Sequence, residues 1–198
     1  MNRALLLSGG MDSVAIAYWK RPEFGITIDY GQVPAHAEER AAKIVCEELG
    51  IEHLIVRADL SALGSGDLAG DAALEIAPRS EWWPYRNQML ITLGAMAAVS
   101  RSVGSLMIGS LSSDDHHADG KADFVDRMDR LVSLQEGGMR VEAPAISMTA
   151  DELILESGIP HSLLAWSHSC HTANEACGVC GGCLKHYTTL EKLGRSPY

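Results

Sequence analysis

Two groups of residues in this chain carry types and spacings suited to chemistry. The first is Ser8, Gly9, Gly10, Met11, Asp12 and Ser13, lying between an apolar run at 4–7 and a helical run at 13–20. A strand that ends in two glycines at a helix start leaves several backbone N–H groups pointing one way, with the positive end of the helix dipole behind them. Such a loop cradles phosphate. It is not a Walker loop, which needs a Gly-Lys-[Ser/Thr] ending, nor the Gly-x-Gly-x-x-Gly dinucleotide fingerprint.

The second group is Cys170, Cys177, Cys180 and Cys183, four thiols within reach of one centre. Gly178, Gly181 and Gly182 permit the tight turns that aim backbone amides at sulfur. Four thiolates suit a tetrahedral zinc ion with no open position, hence a structural ion that holds the tail on the domain. An iron–sulfur cluster uses clustered thiolates as well, and that alternative stays open. Cys46 stands alone in a helical run and reads as a small buried apolar residue.

The elements that position these groups follow from periodicity. Strands are predicted at 4–7, 24–30, 51–56, 105–109 and 140–146, the last interrupted at Pro144. Helices are predicted at 13–20, 35–49, 88–100 and 124–134, the third alanine-rich and buried. Thr149-x-x-Glu152 is a capping box for a short helix that stops at Gly158. The segment 59–79 is long and loop-like, as expected of a partly mobile lid. Alternating strands and helices give an α/β fold, a doubly wound parallel sheet whose ligands sit at the carboxyl ends of the strands. We expect one domain over 1–166 and a metal-binding tail over 167–198 packed on it.

Bulk properties limit the function. The chain has 198 residues, 26 acidic against 16 basic, for a net charge of −10. A long nucleic acid backbone would be repelled on average, so stable nucleic acid binding is not expected. No run approaches the length of a membrane span and no signal peptide opens the chain, so a cytoplasmic location is expected.

The Ser-Gly-Gly-x-Asp-Ser loop resembles the PP-loop of the ATP pyrophosphatase superfamily. Read in order, the motifs resemble one branch of it, the 7-cyano-7-deazaguanine synthase family of the queuosine pathway. They are residues 8–13; Asp29-Tyr30-Gly31-Gln32 with a helix carrying Glu38-x-x-x-Ala42; Pro84-x-Arg86-Asn87; an Asp-rich loop; Ala143-Pro144; and Ser169-Cys170 leading to Cys177-Gly178-x-Cys180-x-x-Cys183. The resemblance implies ATP-dependent adenylation of 7-carboxy-7-deazaguanine, capture by ammonia to give an amide, and a second activation that dehydrates the amide to a nitrile. It implies Mg²⁺ beside ATP and a homodimer.

By the same resemblance, Ser8, Asp12 and Ser13 are the catalytic positions. Leu7, Ser8, Gly9, Gly10, Met11, Asp12 and Ser13, with Asp29, Tyr30, Gly31 and Gln32, border ATP. Trp83, Arg86, Asn87, Asp114, Asp115, Asp119 and Lys121 meet the substrate. The chain also departs from the family. Its Asp-Tyr-Ser-Gly-Tyr-Pro-Asp-Cys-Arg loop is replaced by Asp114-Asp115-His116-His117-Ala118-Asp119-Gly120-Lys121, and Ala150 stands where a lysine is usual. A more polar mouth leaves two further readings: transfer of the acyl group to a protein amine, as in related antiphage defence systems, and a nucleotide-binding subunit without turnover. The altered loop is itself either a solvated polar segment or a second divalent-ion site.

Overall fold

The computed structural model describes residues 1–114 and 116–196. Its five strands are β1 (Asn2–Leu6), β2 (Phe24–Asp29), β3 (Glu52–Arg57), β4 (Val103–Met107) and β5 (Arg140–Glu142). They form one parallel sheet in the order β3-β2-β1-β4-β5. The helices are α1 (Met11–Lys20), α2 (Ala35–Leu49), α3 (Arg86–Val99), α4 (Ala122–Ser133), α5 (Ala150–Ser157), α6 (His161–Leu164) and α7 (Gly181–Lys192).

Successive side chains of a strand face opposite ways, and β1 feeds two cores for that reason. Leu5 and Leu7 pack with Val14, Ile16, Val45, Leu153, Ile154 and Leu190, from α1, α2, α5 and α7. Ala4 packs with Ile26, Ile91, Leu106, Met128 and Val141, on the side of α3 and α4. Covered on both faces, the strands read as near-continuous apolar runs. β2 and β3 lie on one side of β1 and β4 and β5 on the other, so the strand order reverses between β1 and β4. A crevice opens beyond the carboxyl ends at that point.

Three expectations are corrected. β5 ends at Glu142, because Pro144 has no N–H for the ladder and the chain turns, Ile146 N donating to Ala143 O at 3.2 Å. α3 is not buried all round: Ile91, Gly94 and Ala98 face inward, while Met96 is 66% exposed. The 59–79 segment is pinned rather than loose. Leu68 is buried in the second core, Val33 N donates to Leu68 O at 2.9 Å, and Asp67 N donates to Ser80 O at 2.8 Å. The capping box at Thr149 and the αL stop at Gly158 stand as expected.

Candidate functional site

Gly9 makes the phosphate loop possible. Its φ of +75° is left-handed, and a Cβ there would sit 2.7 Å from Glu38 O on α2. Only glycine therefore lets the turn press against α2 and present α1 end-on. Ser8 Oγ accepts from Gly10 N at 3.3 Å and lies 3.3 Å from Ser13 Oγ, which donates to Gly10 O at 2.9 Å. Gly109, after β4, lies beside Ser13 across the switch point. The structure thus joins Ser8, Gly9, Gly10, Asp12 and Ser13 in one concave turn. Met11 turns its side chain into the core. Leu7 is buried as well, and both its backbone groups serve β2, through Ile26 O and the Thr27 hydroxyl, so it offers the crevice nothing.

A cation unforeseen from the sequence stands over this turn. Lys185, on α7, places Nζ 2.9 Å from Asp12 Oδ2 and 3.2 Å from Asp114 Oδ1. Burial works against the ammonium, but the two carboxylates more than offset it and its pKa is raised. Burial also pushes the Asp12 carboxyl up, against the pull of Lys185. Asp12 Oδ1 is buried with no hydrogen-bond partner among the described residues. A lone lysine on an amphipathic helix carries no local signal; only the proximity of the four cysteines could have drawn notice to it.

The residues that follow β2 cluster behind the loop. Gln32, buried, donates to Glu38 Oε2 at 2.7 Å and to Ile28 O at 3.1 Å, and accepts from Tyr30 N at 2.8 Å. Its hydrogen-bonding capacity goes into the turn after β2. Desolvation raises the Glu38 pKa to about 7, although Gln32 and Arg86 pull it down. Tyr30 is buried with its ring edge-on to Trp83, 5.0 Å between centroids, and its hydroxyl interacts with Arg86. Asp29 Oδ1 accepts from Gly31 N at 3.1 Å.

Among the expected substrate residues, Trp83 is a correction. It is 3% exposed and fills the second core with Tyr30 and Leu68, so its face is not open for stacking. Arg86 and Asn87 open α3, and Asn87 Nδ2 donates to Asp119 O at 3.3 Å, which ties that helix start to the loop after β4. Asp114 is held by Lys185 and by Leu111 N. Lys121 is exposed at the N-cap of α4. Asp115 lies outside the described residues.

The four cysteine sulfurs lie within 4.8 Å of one another, with Cys177 to Cys183 and Cys170 to Cys180 at 3.9 Å. Backbone N–H groups of Val179 and Cys180 point at Cys177 Sγ, and those of His171 and Cys183 at Cys180 Sγ. The Thr172 hydroxyl and these amides lower the Cys177 thiol to about 6, while burial pushes Cys183 up to about 12. Four thiols so close, with amides aimed at their sulfurs, could hold one metal ion. The cluster is joined to the phosphate loop, since His168 N donates to Gly9 O at 2.8 Å. It is also joined to α2, since Ala37 N donates to Asn174 Oδ1 at 2.8 Å.

Fold and site together define an α/β protein of the PP-loop class, with a glycine and serine phosphate turn at the switch point and a four-cysteine metal tail. A solved structure shares the fold: the U34-tRNA thiolase NcsA from Methanococcus maripaludis, described with its [4Fe-4S] cluster, matches with a TM-score of 0.53 at 19% identity over 96% of this chain. This chain spans 65% of that one. The chain belongs to the family described as Queuosine biosynthesis protein QueC, whose profile matches residues 3–194. A 7-cyano-7-deazaguanine synthase of Methanothermobacter thermautotrophicus is 31% identical, covering 98% of this chain and 96% of the relative. The Porphyromonas gingivalis protein of the same name is 29% identical over 96% and 92%.

Proposed function

We propose that this chain is an ATP-dependent 7-cyano-7-deazaguanine synthase. The observation that carries the reading is the turn at 8–13, set at the switch point and faced by Lys185, in a chain similar along its length to synthases of that name. The 7-carboxy-7-deazaguanine carboxylate oxygen attacks the α phosphorus of ATP and pyrophosphate leaves. Ammonia attacks the acyl carbon and AMP leaves, giving the amide. The amide oxygen then attacks the α phosphorus of a second ATP and pyrophosphate leaves; the C–O bond breaks, AMP departs with that oxygen, and the nitrogen gives up its protons to form the nitrile.

The residues divide this work by position. The turn's backbone N–H groups and the Ser8 and Ser13 hydroxyls bind the leaving pyrophosphate. Ala150, where the family carries lysine, is buried at the start of α5, and Lys185 supplies the cation from α7 instead. Asp12 Oδ1, buried and unpartnered, fits Mg²⁺, which when bound neutralises charge on the phosphates. To Arg86, at the start of α3, we assign the substrate carboxylate.

Zinc is the metal we assign to the tail. Four thiolates on one ion with Zn–S near 2.3 Å stand about 3.8 Å apart at tetrahedral angles, close to the 3.9 Å pairs here. Thiolates of a four-iron cluster sit on separate irons and are spread wider.

The test is mass spectrometry of products after incubation with ATP, Mg²⁺, 7-carboxy-7-deazaguanine and ammonium. Amide and nitrile with AMP and pyrophosphate are expected. Acyl adenylate without nitrile, with mass added to a protein amine, transfers the reading to protein modification. No AMP at all leaves a nucleotide-binding subunit and overturns it.

A further inference from the structure

The loop after β4 forms no ion site of its own among the described residues, but a different group of ligand types meets beside the four cysteines. One ligand atom each from Asp67, Glu81 and His171 lie within 4.8 Å of one another, and all three residues are half-buried. They come from the pinned 59–79 segment, from the approach to α3, and from the residue after Cys170. His117 flanks them, with Nε2 3.4 Å from Glu81 Oε1. We propose that Asp67, Glu81 and His171, with His117 beside them, form a second metal site for a divalent transition ion such as Zn²⁺, separate from the four-cysteine centre.

Three observations support it. Two carboxylates brought together and half-buried repel one another unless a cation lies between them. The Ser80 hydroxyl donates to Asp67 Oδ2 at 2.7 Å, and that neutral donor does not cancel the charge. Next, Nδ1 of His171 is buried without a hydrogen-bond partner among the described residues. An imidazole buried with an idle nitrogen is unsatisfied, and a metal takes such a lone pair. Finally, the start of α7 is hollowed for the group. A Cβ on Gly182 would collide with Ser169 O and sit 2.7 Å from His171 Nε2. Glycine at 182 therefore lets the helix and the tail close on the cluster.

The donor set selects the ion. Imidazole with carboxylate oxygens suits Zn²⁺, Mn²⁺ or Fe²⁺ and differs from the all-thiolate centre, so the two sites are distinguishable by spectroscopy. They are also coupled, because His171 N donates to Cys180 Sγ at 3.3 Å.

The experiment loads full-length protein with Co²⁺ alone. Two equivalents are expected, one with intense thiolate charge-transfer bands and one with weak d–d bands only. Glu81→Gln and Asp67→Asn, which preserve shape, should weaken the weak-band equivalent at least tenfold while keeping the thiolate bands and the melting temperature. His117→Ala should weaken it less. A single thiolate-bound equivalent in the wild type overturns the proposal. So does a second equivalent bound equally well by both carboxamide variants, which would mark adventitious surface binding. Because the readout is metal binding, failure here leaves the synthase reading untouched.

Discussion

Lys185 neutralises two carboxylates that would otherwise face each other across the phosphate turn, and its removal should hurt twice. On the proposed mechanism, Lys185→Met takes away the cation that meets the developing pyrophosphate charge. Loss of one such stabilising group costs on the order of 10²-fold in rate. It also leaves Asp12 and Asp114 unpaired, so a small fall in melting temperature should accompany it. Pyrophosphate release measured on Lys185→Met at saturating ATP, if within twofold of the wild type, would remove the lysine from the mechanism.

Glu38 makes a different prediction. Its folded pKa, about 7, lies above its ordinary 4.5, so between these values the folded chain holds a proton that the unfolded chain has lost. Stability then falls as pH rises through that window, by about 2 kcal/mol after allowance for partial solvent access. Glu38→Gln stays neutral and still accepts from Gln32. The variant should match the wild type near pH 4.5 and exceed it at pH 8 in urea denaturation; parallel curves would contradict the buried-proton account.

At the scale of elements, the four-cysteine tail braces the phosphate turn through His168 N on Gly9 O and through α7. Cys177→Ser should therefore release the metal, lower the melting temperature by several degrees and weaken nucleotide binding, since metal binding energy is part of folding energy. Atomic absorption with differential scanning fluorimetry checks this; a variant that keeps its ion and its melting point sinks it.

The same elements show what a sequence can disclose. The turn and the tail were readable because glycine, serine and cysteine act through backbone shape and ligand chemistry, which local spacing records. Trp83 is not legible in the sequence, because an aromatic beside Pro84 looks the same whether it lines a crevice or fills a core. Glu38 and Lys185 acquire meaning only when α2 and α7 dock on the turn. Docking distances are not written in local sequence. The observed strand ends lie within one or two residues of the predicted ones, except at β5, where Pro144 ends the ladder early.

For the whole molecule, the uneven burial of α3 has a bearing on assembly. Met96 and Val99 on α3, with Leu131 on α4 and Leu134 just beyond it, are exposed apolar residues. A Cβ on Gly137, three residues past Leu134, would lie 3.1 Å from Val99 Cγ2, so the end of α3 adjoins this stretch. We propose that these residues are covered in the homodimer that the family resemblance implies. Met96→Lys with Leu134→Lys should shift sedimentation from dimer to monomer and leave the melting temperature nearly unchanged. A monomeric wild type at micromolar concentration refutes the assignment. Among the described residues, no helix is long and apolar enough to cross a membrane.

Asp12 and Lys185 are 173 positions apart in the chain. On the ribosome the phosphate turn emerges well before the lysine that faces it and the last two thiols of its brace. No nascent intermediate can therefore hold a finished site, and early-made residues wait, exposed, for late ones. Any event that removes the segment from 170 onward, whether a premature stop or a protease cut, should yield a chain whose phosphate turn is unclosed and whose first core lacks Leu190.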